Sequence, residues 1–349
     1  MQEAHARRQV MVGNRRVRTI DTHAHCVMPA GVEVAKAGGV EEANGPFPRG
    51  SLGINPDQRI RDMDAQGIDV QVLSVIPYFW FEAERDLAAE IVKANNEQLA
   101  EMCDAHSDRL VGLASVAMQH PDLAAAQLEE GIKRLGLRGA AIGANVAGEE
   151  LADPRFDPFW AKAEELGAFI FIHPSSIRNL ERGGSGDKSS LATRLQGGGW
   201  LTNVIGNPLD TTIAIAHLIF EGTLDRFPGL KLCWAHGGGF LPSYAARFDH
   251  GVRVNNANRP ESAANTLQLK KRPSEYLRDL YFDSLVFTSE GLRHLAAEVG
   301  TSQIVIGTDY PIPWQPDSVD HILDTPDLTD DERIAMLGGT AAQLLGIEG

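Results

Sequence analysis

The stretch Ile20-Asp21-Thr22-His23-Ala24-His25 reads as a short strand that closes on an H-x-H pair. In an extended strand, residues two apart point to one face. His23 and His25 would therefore present two imidazoles side by side, as zinc or a similar divalent metal needs from two of its ligands. An isolated H-x-H is a weak signal. Three further metal-competent residues close apolar runs, in Phe171-Ile172-His173-Pro174, Trp234-Ala235-His236-Gly237 and Gly307-Thr308-Asp309-Tyr310. Three imidazoles and one carboxylate suffice for zinc with room for a water, and the remaining histidine would carry protons beside it. A metal brings bound water toward a pKa of ~7, where imidazole also titrates. Each residue alone reads as a satisfied structural side chain; the recurrence at successive strand ends argues for a site.

The elements that must position these residues alternate along nearly the whole chain. Apolar, β-branched runs lie at 17–22, 69–76, 110–116, 139–143, 168–173, 230–236, 280–285 and 303–308. Helical patterns lie between most of them, at 84–105, 121–135, 158–166, 208–227, 240–254 and 289–299. Pro121, Pro158 and Pro208 fall where helices start, a favoured place for proline. Strands alternating with helices in this way predict an α/β fold, a single (β/α)8 TIM-type barrel rather than two domains. His23, His25, His173, His236 and Asp309 would then share the catalytic, C-terminal face. The segments 28–54 and 178–199 break the rhythm after strands 1 and 5, and such long loops usually cover the active site. Residues 328–345 read as a pair of short helices capping the barrel. The expected organisation is a polar arm over 1–16, mobile or loosely docked, and one barrel over 17–349.

Composition narrows the functional class. With 349 residues, 43% apolar and 23% charged, the chain has the make-up of a soluble globular protein. A net charge of −15 argues against nucleic-acid binding, but local arginines can still receive an anionic substrate. No apolar run approaches membrane-span length, and the polar, Arg-rich N-terminus lacks the apolar core of a secretory signal. Cys26, Cys103 and Cys233 lack C-x-x-C spacing and suit reduced thiols, so a cytoplasmic location is expected. Strand alternation points Cys26 away from the histidine pair.

Several side chains have both a functional and a structural reading. Tyr78, Phe79, Trp80 and Phe81 could line a planar substrate's pocket or pack in the core. Trp200 closes the irregular fifth loop and divides the same way. Arg49, in the first loop, and Arg247, in the helix after His236, could clamp carboxylates, although most arginines are solvated surface residues.

With these residues in place, the chain resembles the amidohydrolase superfamily, and within it the group related to aminocarboxymuconate semialdehyde decarboxylase. The likeness runs from about Val17 to the C-terminus. It is carried by Asp21-Thr22-His23-Ala24-His25 with Pro29, Met63-Asp64-Ala65-Gln66-Gly67-Ile68-Asp69-Val70-Gln71 and Ile172-His173-Pro174. Phe227-Pro228-Gly229-Leu230-Lys231, Ala235-His236-Gly237-Gly238-Gly239 and Gly307-Thr308-Asp309-Tyr310-Pro311 complete it. The resemblance implies one divalent metal, zinc with manganese as the alternative, held by His23, His25, His173 and Asp309. His236 would be the general acid/base. The run 139–143 offers no lysine, which agrees with a single metal in that superfamily. Arg247 matches an arginine that reaches a neighbouring subunit's site, which implies a homodimer, and Arg49 is a looser match. Ser175-Ser176 follows the strand-5 His-Pro where the decarboxylase tends to carry Trp-Asp.

The reading is a metal-dependent, non-oxidative decarboxylase of an unsaturated or aromatic carboxylic acid. His236 would move the proton, Arg247 and Arg49 would hold carboxylates that do not react, and Trp200 would contact the substrate. The rivals are a hydrolase or hydratase on the same site and a non-catalytic metal-binding scaffold.

Overall fold

Runs of β-branched and aromatic residues separated by amphipathic segments set up one strand per helical return, and the chain closes them into a ring. The computed structural model describes residues 7–40, 55–75, 80–175, 191–195, 200–258 and 268–348. The ring strands are β1 (Ile20–His25), β2 (Val70–Ser74), β3 (Leu110–Gly112) and β4 (Gly139–Gly143). They continue as β5 (Phe169–His173), β6 (Lys231–Trp234), β7 (Tyr281–Asp283) and β8 (Ile304–Val305). β1 to β3 pair in parallel in chain order, and β4 to β8 do the same. A parallel bridge from Ala114 to Ala140 joins the two runs, and bridges Asp21–Ile306 and Ala24–Tyr310 close the circle. The fold is the (β/α)8 barrel that the alternation predicts.

Two apolar layers hold it. Ile20, Val72, Leu113, Phe171, Cys233 and Val305 fill the barrel, and Ala341, Leu344 and Leu345 of the C-terminal helix Thr340–Leu345 pack on the same cluster. The opposite faces of the strands, among them Ile172, Trp234 and Phe282, pack outward against the helices. At Gly139 the backbones of β4 and β5 approach so closely that a Cβ would lie 1.7 Å from the Phe169 carbonyl oxygen.

Sequence periodicity places the helix Ser289–Val299 without error and the others to within a few residues, with two corrections. The stretch 208–227 is two helices, Asn207–Phe220 and Thr223–Arg226, because Gly222 adopts a left-handed conformation between them. The segment 28–54 is not irregular throughout: Pro29–Ala37 is a helix. Its glycine hides the signal, yet Gly31 is required where the helix meets Arg85–Ala105, since a Cβ there would lie 2.1 Å from Asn95 Oδ1. The helix Pro56–Gln66, capped by Asn55, follows.

The described part of the N-terminal arm is docked rather than loose. Met11–Val12 pairs with Arg15–Arg16 in a hairpin, and Val10, Val12 and Val17 are buried. Arg16 bonds the buried Asp69 at 2.6 Å, and Arg8 bonds Asp320 at 2.8 Å. Among the described residues no helix is long and apolar enough to cross a membrane.

Candidate metal centre

A β-bulge aims the first two donors. Asp21 stands opposite Gln71, but Ala24 stands opposite Leu73, so β1 spends three steps where β2 spends two. The extra residue reverses the strand's parity. Ile20 therefore points into the barrel and Ala24 points out, while His23 and His25 point in, against Phe171 and His173 respectively. Strict alternation from Ile20 would have sent both imidazoles into the helix layer. Cys26 faces that layer, as alternation from the histidines predicts.

β5 contributes His173 beside Phe171, and the segment after β8 contributes Asp309, whose backbone N–H donates to the His23 carbonyl at 2.9 Å. Asp309 has φ +60, a left-handed conformation that aspartate tolerates better than most residues. One donor atom from each of His23, His25, His173 and Asp309 lies within 4.8 Å of the others, and all four side chains are buried. His23 Nε2 and His25 Nε2 are 3.2 Å apart and share Asp309 Oδ1, at 3.2 and 2.7 Å.

The outer hydrogen bonds fit a metal. His23 donates from Nδ1 to Asp283 Oδ2 at 2.6 Å, and His173 donates from Nδ1 to the Pro174 carbonyl at 2.9 Å. Both rings thereby turn Nε2 to the common space, the arrangement seen in metal-ligating histidines. Burial lowers the His173 imidazole far below its usual range and lowers His25 as well, with neighbouring imidazoles adding to both, so each offers a lone pair at neutral pH. Burial also opposes charge on His23, but Asp309 and Asp283 outweigh it and raise it to about 10. Burial likewise opposes ionisation of Asp309, yet the surrounding histidines hold its carboxyl well below the usual range. A proton at His23 Nε2 thus occupies the place a cation would take. Three imidazole nitrogens and one carboxylate oxygen suit a single divalent ion.

A buried network fixes the backbone that carries these ligands. Asp21 accepts from Gln71 Nε2 at 2.8 Å, from Thr308 Oγ1 at 2.6 Å and from the His23 backbone N–H at 3.1 Å. Burial nonetheless raises Asp21 to about 6, against the pull of those bonds. Arg59, fully buried, donates to Gln71 and, at 2.6 Å, to the His25 carbonyl, and stacks 4.6 Å from the Tyr310 ring centre.

His236 follows β6 and stands at the edge of this group, its Nε2 4.0 Å from Asp309 Oδ2. It has φ +55, a strained conformation for a non-glycine residue that costs about 1–3 kcal/mol. It borders a cavity of about 130 Å³ whose other walls include Asn203, Asn207, Phe287 and Trp314. Phe287 and Trp314 are both half-exposed, with ring centres 6.1 Å apart. Sequence reasoning missed these four, and also Arg59 and Asp283. A carboxylate set inside the apolar run 280–285 is the available clue to Asp283.

The structure does not bring every candidate to this place. Arg247 lines a different cavity of about 440 Å³, with Phe240, Tyr244 and Phe248, outside the His236 pocket of its own chain. Trp200 is 74% exposed and is not among the walls around His236. Trp80 is buried in the outer core and Phe81 packs against it, which settles both on the packing side of their two readings. Arg49, Tyr78 and Phe79 lie outside the described residues, as does most of 178–199.

Known proteins resemble this chain in sequence and in fold. The pattern of a family described as Amidohydrolase matches residues 20–347. A 2-amino-3-carboxymuconate-6-semialdehyde decarboxylase from Dictyostelium discoideum is 32% identical over 296 residues, 84% of this chain and 77% of its own. A gamma-resorcylate decarboxylase from Rhodococcus jostii is 27% identical over 308 residues, 84% of this chain and 88% of its own. Among solved structures, a 5-carboxyvanillate decarboxylase from Sphingomonas paucimobilis superposes with a TM-score of 0.81 at 24% identity, covering 95% of this chain and 100% of its own.

Proposed function

This chain belongs to the amidohydrolase family, and from that premise we propose that it is a metal-dependent, non-oxidative decarboxylase of an unsaturated or aromatic carboxylic acid. The observation that carries the reading is the buried His23-His25-His173-Asp309 set with His236 4.0 Å from its carboxylate. The 2-amino-3-carboxymuconate-6-semialdehyde and gamma-resorcylate decarboxylases among the relatives support the substrate class.

The four buried side chains hold one divalent metal, and we assign zinc from the three-nitrogen, one-oxygen donor set. Manganese is the alternative that metal analysis decides. When bound, the ion acts as a Lewis acid toward substrate oxygens and draws electron density from the conjugated system. His236 handles the proton. As the carbon–carboxylate bond breaks and carbon dioxide departs, the electron pair stays on the carbon, and His236 Nε2 delivers a proton there. Asn203 and Asn207 offer amide hydrogen bonds beside it, and Phe287 and Trp314 form an apolar wall that suits a planar substrate.

Arg247 acts in this proposal from the partner subunit of a homodimer, holding a carboxylate that does not react. Arg49 and Trp200 complete the substrate contacts. The division into an arm over 1–16 and a barrel over 17–349 belongs to the same reading, as does a cytoplasmic location, which three free, buried cysteines support.

The deciding experiment is anaerobic turnover of zinc- or manganese-loaded protein on carboxylated phenols, carboxymuconate semialdehydes and pyrimidine carboxylates, with detection of carbon dioxide. Release that stops on chelation supports the proposal. Loss of substrate without carbon dioxide overturns it in favour of hydrolysis or hydration.

A further inference from the structure

Asp283 closes β7 with its side chain fully buried, and four donors converge on its two oxygens. Oδ2 accepts from His23 Nδ1 at 2.6 Å and from the His236 backbone N–H at 2.9 Å. Oδ1 accepts from the Gly237 N–H at 2.8 Å and the Leu285 N–H at 3.1 Å. One oxygen thus joins a side chain of the metal set to the backbone of the residue read as the proton carrier.

The turn it grips closes on itself only through Gly238 and Gly239, whose N–H groups donate to the Ala235 and His236 carbonyls at 3.2 and 3.0 Å, and its His236 and Gly237 amides go to Asp283. His236, Gly237, Gly238 and Gly239 all have positive φ, from +55 to +77. Successive amides in a turn form a concave nest that takes an anion, and here the His236 and Gly237 amides take the Asp283 carboxylate. A Cβ at Gly237 would meet Val286 Cγ1 at 2.5 Å, so the turn is pressed directly on the segment that follows Asp283.

We propose that Asp283 is a positioning residue that couples the metal site to His236: it orients His23 through Nδ1 and, through the same oxygen, sets the backbone position of His236. A cation held jointly by His23, His25, His173 and Asp309 would fix the His23 ring where a proton at Nε2 does not, and the shared Asp283 oxygen would carry that restraint into the 236–237 turn. The inference rests on the proposed roles of the metal set and of His236, but its main test needs no turnover.

The first measurement is hydrogen–deuterium exchange of the purified full chain, metal-free and with zinc, followed on peptides spanning 234–239. Zinc should slow exchange there by about tenfold or more in the native chain, and the slowing should vanish in Asp283→Asn, whose amide nitrogen accepts no hydrogen bond and leaves two of the four donors without an acceptor. Zinc affinity of that variant, measured by chelator competition, should fall about 10–100-fold. At saturating zinc, kcat on whichever carboxylate is turned over should stay at least tenfold down with KM little changed.

Equal exchange of 234–239 with and without zinc in the native chain would overturn the coupling, and this holds even if Asp283→Asn does not fold. A variant whose kcat recovers fully at saturating zinc would also overturn it, leaving Asp283 as an orienter of His23 alone. If no carboxylate is turned over but zinc still slows the turn through Asp283, the proposed reaction fails and the coupling stands.

Discussion

His236 Nε2 lies 4.0 Å from Asp309 Oδ2, while the other oxygen of that carboxylate sits 2.7 Å from His25 Nε2. One carboxylate therefore faces both the donor cluster and the histidine beside it. The two histidines have different surroundings: His25 is closed in, whereas His236 opens onto the cavity with Phe287 and Trp314.

That difference separates their substitutions. His236→Ala should lower kcat by ~10²–10⁴, the range expected for loss of a general acid, and should keep the bound metal. Carbon dioxide release and elemental analysis on the same sample check it. Loss of metal together with activity would make His236 a ligand.

Asp309→Asn should act on the ion itself. It removes the charge shared by His23 and His25, and metal affinity should drop by more than the ~10–100-fold typical of losing an outer partner. Metal content after exhaustive dialysis measures this, and retention of a full equivalent would count against the assignment.

Proton release gives a check on the same site. His23 is raised to about 10 by Asp309 and Asp283 against the effect of burial, so in metal-free protein it keeps its proton across the neutral range. An ion must displace that proton. Zinc binding at pH 8 should release about one proton per chain, and apparent affinity should climb about tenfold per pH unit toward pH 10. The sign for the metal-free fold is opposite: the raised His23 contributes stability in full below about 6.5, and this is lost as pH rises through about 10. Calorimetry in two buffers of different ionisation enthalpy reads the release; none at pH 8 would remove His23 from the ligand set.

The proposed subunit exchange of Arg247 is testable by mixing. Arg247→Ala and His236→Ala proteins should each be nearly inactive. Dissociated and reassembled together, they should regain about a quarter of native activity, since half the dimers are hybrids with one intact site. No recovery would place Arg247 outside its neighbour's site.

Gly139→Ala tests the closure of the barrel. A Cβ 1.7 Å from the Phe169 carbonyl must push β4 from β5, at a cost of about 3 kcal/mol or more. The urea midpoint should fall clearly; an unchanged midpoint would mean that the two strands have slack the packing does not show.

The sequence by itself determined the barrel and the chemistry of its mouth. The eight apolar runs and the helical periods between them are local patterns, and His23, His25, His173, His236 and Asp309 sit at or just beyond their ends. Only the tertiary structure decided which way those side chains face and what holds them. The bulge that turns His23 and His25 inward is a mismatch between β1 and β2, so it exists only when the strands pair. Asp283 reaches His23 across 260 positions of chain, and Arg59 reaches the His25 carbonyl across 34. The helix Pro29–Ala37 escapes a propensity reading because Gly31 serves its contact with Asn95 rather than its own helix. Residue type and spacing act over a few neighbours, whereas register, parity and buried hydrogen bonds are set by whichever distant backbone the folded ring brings alongside.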